Sequence, residues 1–319
     1  MKMLNVSETA ELIKEQKKIL ILTHRNPDGD TLGCGFALMY AVRSFGIDAK
    51  VFCCDKIPEK YNYMFSPDDL DDCEDAYIIA VDIADSKLIG AGNAEKYKNK
   101  VQLCIDHHIS NTHYSENLLL RDCAAACELM FDVIKAMGAE IDKKIADCLY
   151  TGLSTDTGCF RFSNVTEQTH LAAAELIKKG ADFSEINRVM FETKSKGCFM
   201  LESAAINSIK MLFDGKCAVM TVTKEMMEAS GTTESDCDGI AAIPRKIEGV
   251  LVGATLRERD DGTFKVSLRS HAPVDCTKIC TEMGGGGHAR AAGCEIRTEF
   301  FDEDMNRLLA SIKKELDKI

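Results

Sequence analysis

The stretch Thr23-His24-Arg25-Asn26-Pro27-Asp28-Gly29-Asp30 puts one imidazole and two carboxylates within seven residues. Donors of this type at this density suit a divalent cation, and they would be costly to bury unpaired. The stretch follows Lys18-Ile19-Leu20-Ile21-Leu22, an apolar run that reads as a fully buried strand. Similar residues recur at other element ends. Asp82 follows the apolar run 76–81, Asp106-His107-His108 closes the run 101–105, and Asp156 follows a helical pattern over 142–153. Each has an ordinary reading when taken alone. The 23–30 loop is then a solvated Asx-type turn, Asp82 a helix cap, His107-His108 one core and one surface histidine, and Asp156 a turn cap. Four separate sites carrying only oxygen and imidazole donors are hard to obtain by chance.

The elements that must position these residues alternate between strand and helix. Strands are expected at 18–22, 49–53, 76–81 and 101–105. Helices are expected from Ser7 (as N-cap) to Gln16, and over 31–45, 124–137, 142–153 and 167–179. This order implies an α/β fold with a doubly wound parallel sheet. In such sheets ligands bind outside the carboxyl ends of the strands, so His24, Asp28, Asp30, Asp82, Asp106, His107, His108 and Asp156 should converge in one crevice. Five carboxylates cannot crowd together ionised without cations. Two divalent cations would relieve the repulsion, and a carboxylate-rich, cysteine-free donor set favours manganese or magnesium over structural zinc. Paired cations activate water and clamp phosphoryl oxygens, which makes phosphate-ester hydrolysis the natural reaction.

After the expected catalytic domain at 1–190, residues 191–208 read as a helical linker, and 209–319 as a smaller α/β domain. There, 218–220, 250–256 and 264–268 look like strands, Asp260-Asp261-Gly262 marks a hairpin, and an amphipathic helix starts near Phe301. The run Gly284-Gly285-Gly286-Gly287 precedes His288. Successive glycine N–H groups can form an anion-binding nest, with His288 and Arg269 as further phosphate donors; the ordinary reading is a surface loop. No Gly-Lys-Ser/Thr follows, so the run is not a P-loop.

The net charge of −12 argues against a protein that grips long nucleic acid by its phosphates. No apolar run is long enough to span a bilayer, and the first residues lack the pattern of a signal peptide; both point to a cytoplasmic protein. Fifteen cysteines, an odd number without a Cys-x-x-Cys pair, read as reduced and structural.

The motifs resemble those of the DHH phosphoesterases. Asp106-His107-His108 matches the family's namesake motif, His24-x-x-x-Asp28-x-Asp30 its first, Val81-Asp82-Ile83-Ala84-Asp85 its second, and Thr151-Gly152-Leu153-Ser154-Thr155-Asp156-Thr157-Gly158 its fourth. Ser267-Leu268-Arg269-Ser270, followed by the glycine run and His288, resembles the DHH-associated C-terminal domain. The resemblance implies that His24 and Asp28 hold one cation, that Asp82 bridges, and that Asp30, His107 and Asp156 complete the second site. The cations would be Mn2+, with Mg2+ or Co2+ as substitutes. It places Asp106 and His108 around them or on the scissile phosphate. It further implies a metal-activated water as nucleophile, without a covalent protein intermediate, and substrate binding by Arg269, Gly285, Gly286, Gly287 and His288 between closing domains. The likeness is greatest to the small two-domain members that degrade very short oligoribonucleotides and dephosphorylate 3′-phosphoadenosine 5′-phosphate. A soluble cyclic di-AMP phosphodiesterase and a catalytically silent nucleotide sensor are the alternatives. Related small members pair as homodimers, although no stretch of this sequence marks an interface.

Overall fold

The computed structural model describes residues 1–319 apart from Glu74, Ala91, Lys98, Asp238 and the side chain of Ser235. It divides into two compact units, Met1–Thr193 and Lys194–Ile319.

The first unit opens with β1 (Lys2–Met3), α1 (Val6–Lys14), β2 (Lys18–Leu22), α2 (Gly29–Arg43), β3 (Asp48–Phe52) and β4 (Tyr77–Val81). The short α3 (Asn93–Lys96), β5 (Leu103–Asp106), β6 (Asn117–Leu120), α4 (Ala126–Met137), α5 (Lys143–Asp156), α6 (Glu167–Lys178) and α7 (Phe183–Asn187) follow. Its six strands are all parallel, in the order β1-β6-β5-β4-β2-β3. Alternate residues of β2 face opposite cores. Ile19 and Ile21 pack under the long helices, while Leu20 and Leu22 pack on the other face with Ile78, Ala80 and Tyr97. Burial on both faces is why these strands read as continuous apolar runs. From β2 the chain moves outward to β3 and then crosses back to β4, so a topological switch point lies between β2 and β4.

The first helix differs from expectation at its start. Asn5, not Ser7, is the N-cap, and it forms a reciprocal capping box with Glu8. Strands β1 and β6 were not expected, because two and four residues are too few to show a period.

The second unit comprises α8 (Lys196–Asn207), β7 (Lys210–Leu212), β8 (Cys217–Val222), α9 (Lys224–Ser230), β9 (Val252–Glu258), β10 (Thr263–Ser270), α10 (Cys276–Glu282), β11 (Gly286–His288), β12 (Ala291–Arg297) and α11 (Phe301–Leu316). Its sheet is mixed, in the order β11-β12-β10-β9-β8-β7, with only β8 and β9 parallel. Helix α8 falls within the expected linker, yet it buries Leu201 and Ala205 against Met220 and Val222 of β8. Phe199, Met200 and Ile206 lie exposed on its other faces, so the apolar residues of the helix do not mark the buried side in the sequence. The glycine run departs further from expectation. Gly286–His288 pairs antiparallel with β12 as an exposed edge strand, and a strand turns successive N–H groups to opposite sides, which a nest does not. Glycine is needed there because a Cβ at Gly285 would meet the Gly293 carbonyl oxygen at 2.1 Å.

A polar tie holds the irregular segment between β3 and β4. Asp69 accepts hydrogen bonds from Arg43 (2.6 Å), Tyr40 (3.0 Å) and the Ser66 N–H (2.7 Å). Burial pushes the Asp69 carboxyl up, but Arg43, Ser66 and Tyr40 outweigh it and hold it below the usual carboxylate range. Asp69→Ala should lower the unfolding free energy by about 2 kcal/mol in urea titrations at pH 7, the scale of hydrogen bonds to a charged group. Because the folded pKa is depressed, this contribution is complete above the unfolded value of about 4 and fades as pH falls through the folded one. The stability gap should therefore close in acid; equal midpoints at pH 7 would refute the tie.

Candidate metal centre

The carboxyl ends of β2, β4 and β5 bring the donor residues together. His24 follows β2, Asp82 follows β4, and Asp106 ends β5 ahead of His107 and His108. Asp28 caps α2, its Oδ1 accepting from the N–H groups of Asp30 and Thr31 at 3.0 and 3.2 Å. Asp156 is the last residue of α5. His24 Nε2 lies 3.6 Å from both Asp28 Oδ1 and Asp82 Oδ2. His107 Nε2 lies 3.4 Å from Asp82 Oδ1, 3.5 Å from Asp156 Oδ2 and 3.9 Å from Asp30 Oδ2. These separations are too long for good hydrogen bonds, yet short enough for donors that share an ion. Among the described residues four clusters have ligand atoms within 4.8 Å of one another. His24–Asp28–Asp82 and Asp30–His107–Asp156 are the two sets built from the expected metal donors, beside Asp82–His107–His108 and the buried Asp30–Cys34–Cys127. The two oxygens of Asp82 face different sets.

The electrostatics fit cations. Asp82 Oδ1 is buried without a hydrogen-bond partner. Asp82 also holds a left-handed backbone (φ 57°), an uncommon conformation for a residue other than glycine. Burial pushes Asp156 up to about 7, reinforced by Asp82 and Asp28, and it carries Asp30 well above the usual range, reinforced by Asp82 and Asp156. Burial pulls both imidazoles down, but the carboxylates prevail: His24 rises to about 11 beside Asp28 and Asp82, and His107 to about 10 beside Asp82 and Asp30. Protons are serving as the counter-charge.

Nearby groups fix the donors. His24 Nδ1 meets the Arg25 carbonyl at 2.8 Å and His107 Nδ1 the Cys123 carbonyl at 3.0 Å. With Nδ1–H donating in each ring, Nε2 is left facing the carboxylates. Helix α4 has no side-chain cap of its own at Ala125. Asp30 supplies one from α2, accepting from the N–H groups of Ala126 (2.6 Å) and Cys127 (2.8 Å). Thr31 Oγ1 donates to the Val81 carbonyl at 3.1 Å and accepts from the His24 N–H at 3.3 Å, joining the ends of β2 and β4. Asp106 stands apart from the two sets. It is buried and accepts from His108 Nδ1 (2.8 Å), the His107 N–H (2.8 Å) and Asn111 Nδ2 (2.6 Å). Half-exposed His108 is raised chiefly by that bond to Asp106.

Of the other expected residues, Arg269 and His288 lie in the second unit, where both pair across the sheet with Ala291 of β12. Gly286 and Gly287 occupy β11, with Gly285 just before it. Thr31, Asn111 and Gly152 were not expected among the functional residues. A single threonine or asparagine carries no periodic signal, but a glycine inside an apolar helix does mark close approach. At Gly152 a Cβ would lie 2.2 Å from Cys127 Sγ and 2.6 Å from Asp30 Oδ1.

Two family models account for most of the chain: the DHH family, N-terminal domain over residues 18–153, and the DHHA1 domain over 214–318. The chain belongs to the DHH family and is a hydrolytic phosphoesterase. It is 30% identical to the bifunctional oligoribonuclease and PAP phosphatase NrnA of Thermus thermophilus, over 97% of this chain and 94% of that one. A solved exopolyphosphatase-related protein from Bacteroides fragilis superposes with a TM-score of 0.86 at 25% identity, covering 97% of this chain and 95% of the other. The structure of RecJ from T. thermophilus in complex with Mn2+ shares the fold at a TM-score of 0.56 and 15% identity, over 97% of this chain and 55% of RecJ. The oxygen- and imidazole-rich donor set is of the type that holds divalent cations. Among the described residues, no helix is long and apolar enough to cross a membrane.

Two predictions follow from this packing and charge. Gly152→Ala should force Asp30 and Cys127 apart, weakening metal binding by about tenfold or more in equilibrium dialysis while far-UV circular dichroism is kept. Unchanged affinity would show that Asp30 is not held there. Because the metal-free imidazoles and Asp156 retain protons, metal uptake near pH 7 must release protons, and affinity must rise with pH. Calorimetry in two buffers of different ionisation enthalpy measures the release; identical heats would contradict it.

Proposed function

We propose that the chain uses two divalent cations to hydrolyse very short oligoribonucleotides to mononucleotides, and 3′-phosphoadenosine 5′-phosphate to AMP and phosphate. The carrying observation is Asp82, whose two buried oxygens face two separate donor sets. His24 and Asp28 would hold one cation and Asp30, His107 and Asp156 the other, with Asp82 available to both. Mn2+ is the favoured ion, supported by the hard donor set and by the RecJ complex; Mg2+ and Co2+ are substitutes. Bound there, the cations supply Lewis-acid polarisation of a phosphoryl oxygen and a water of lowered pKa.

The side chains themselves do the rest. Asp106 takes the Nδ1–H of His108 and stabilises the imidazolium, leaving Nε2 to donate to a phosphoryl or leaving oxygen. Arg269, His288 and the Gly285–Gly287 edge bind the substrate's phosphates or sugar. The substrate class is supported by the name of the Thermus relative, matched over nearly its whole length. The chain's net charge of −12 disfavours long strands. A cytoplasmic homodimer is consistent with this role.

Manganese-dependent turnover of a ribodinucleotide, 3′-phosphoadenosine 5′-phosphate, cyclic di-AMP and a long single strand, compared in parallel, tests the reading. Fast loss of the first two is expected. Preference for cyclic di-AMP would replace it with a signalling phosphodiesterase, and metal binding without turnover on any substrate would leave a sensor. Asp82→Ala should bring activity to background and reduce bound metal; unaltered metal content and rate would falsify the bridging role.

A further inference from the structure

Two thiols lie against the metal centre without taking part in it. Cys34 Sγ and Cys127 Sγ are 3.5 Å apart, and both side chains are buried. With Asp30 they form a cluster whose ligand atoms all lie within 4.8 Å of one another. The elements explain the placement. Cys34 is one helical turn beyond Asp30 on α2, so the two share a face. Cys127 is the second residue of α4, the helix that Asp30 caps, and its N–H donates to Asp30 Oδ1 at 2.8 Å. Its sulfur occupies a slot made by two glycines. A Cβ at Gly33 would lie 2.9 Å from Cys127 Sγ, and one at Gly152 would lie 2.2 Å from it.

This cluster differs in kind from the sets beside it. Those offer carboxylate oxygens and imidazoles, which suit hard or borderline ions. Two thiolates with one carboxylate select a thiophilic cation, zinc or cadmium in type, and discriminate against magnesium and manganese. The spacing fits, because two metal–sulfur bonds of about 2.3 Å reach across sulfurs up to about 4.6 Å apart. Asp30 links the thiols to the metal centre. Its Oδ1 accepts from the Cys127 N–H, while its Oδ2 stands 3.9 Å from His107 Nε2.

We propose that Asp30, Cys34 and Cys127 form a further cation site, specific for a thiophilic divalent ion. One dication replaces the two thiol protons, which pass to solvent. An ion held there draws on the carboxylate that also belongs to the Asp30–His107–Asp156 set, so filling the thiol site weakens that set. Thiophilic ions thereby inhibit from inside the core, separately from exchange at the oxygen-rich positions. The site itself is independent of the function proposed above; its effect on turnover rests on that reading.

Cadmium titration of the metal-free chain, followed by the ultraviolet thiolate-to-cadmium charge-transfer band, tests the site. Oxygen and imidazole donors give no such band. Wild type should develop it with one tightly held equivalent of cadmium. Cys34→Ser and Cys127→Ser should each weaken that equivalent by about a hundredfold or more, since groups that only support a ligand already cost up to about that much. Cys217→Ser, which replaces a buried thiol of the second unit, should leave the band unchanged. Asp82→Ala should keep it as well, because Asp82 is no part of this cluster. No tight band in wild type, or an equal one in both serine variants of the pair, would overturn the site. On the manganese-loaded chain, cadmium should inhibit turnover of a ribodinucleotide. Cys34→Ser should raise the inhibiting concentration about tenfold or more while its uninhibited rate stays within about twofold. Equal inhibition of that variant and wild type would overturn the link through Asp30 and leave the phosphoesterase reading standing. Failure of wild type to cleave the dinucleotide overturns the phosphoesterase reading, and the spectroscopic titration then decides the site by itself.

Discussion

Repulsion among carboxylates at one edge of a parallel sheet is the constraint to which the first unit is built. Asp28, Asp30, Asp82 and Asp156 converge there, and burial raises the cost of charging Asp30 and Asp156 before any neighbour adds to it. Such a cluster is unstable unless positive charge sits among the oxygens. In the metal-free protein, protons on His24 and His107 provide it; divalent cations provide it with more charge per site. The preference for metal is thus a property of the packing, and stability and metal content become one quantity.

Holding repelling groups in place requires rigid anchors, and each anchor also serves the fold. The carboxylate of Asp30 caps α4, so a movement of that side chain would leave two helix N–H groups unsatisfied. Thr31 ties β2 to β4 across the switch point. Gly33 and Gly152 let α2 and α5 approach closely; a Cβ on Gly33 would meet the Cys148 carbonyl oxygen at 2.5 Å. These two helices carry Asp28, Asp30 and Asp156 between them, so their close contact fixes the distance from one donor set to the other. The strain at Asp82 is stored where the two sets meet.

The legible parts of this fold are those where periodicity and chemistry coincide. Strands β2, β4 and β5 are buried on both faces and therefore read as uninterrupted apolar runs, and the donors at their ends stand out as polar residues beside them. Repulsion then argues for cations before any coordinate is known. Short elements escape that logic. β1 and β6 are too brief to show a pattern, and the hairpin of β11 and β12 turns on Ala289-Arg290, which lacks the Asn-Gly type of signal. The Gly284–Gly287 run misleads because glycine permits both a nest and a close-packed edge strand; the contact with Gly293 decides between them, and that contact is tertiary. Asp106 was placed around the cations or on the phosphate, but only the bonds from His108 and Asn111 show that both its oxygens are already engaged.

Charge separates what the two units do. The first gathers carboxylates and needs cations, whereas the second sets Lys265, Arg269 and Arg257, the last paired with Glu234, around a small concavity whose described lining holds no carboxylate. A long polyanion meets the field of the whole chain, whose net charge of −12 repels it. A ligand bearing only one or two phosphates has little charge for that field to act on. Net acidity therefore weighs against long polyanions far more than against ligands that carry one or two charges.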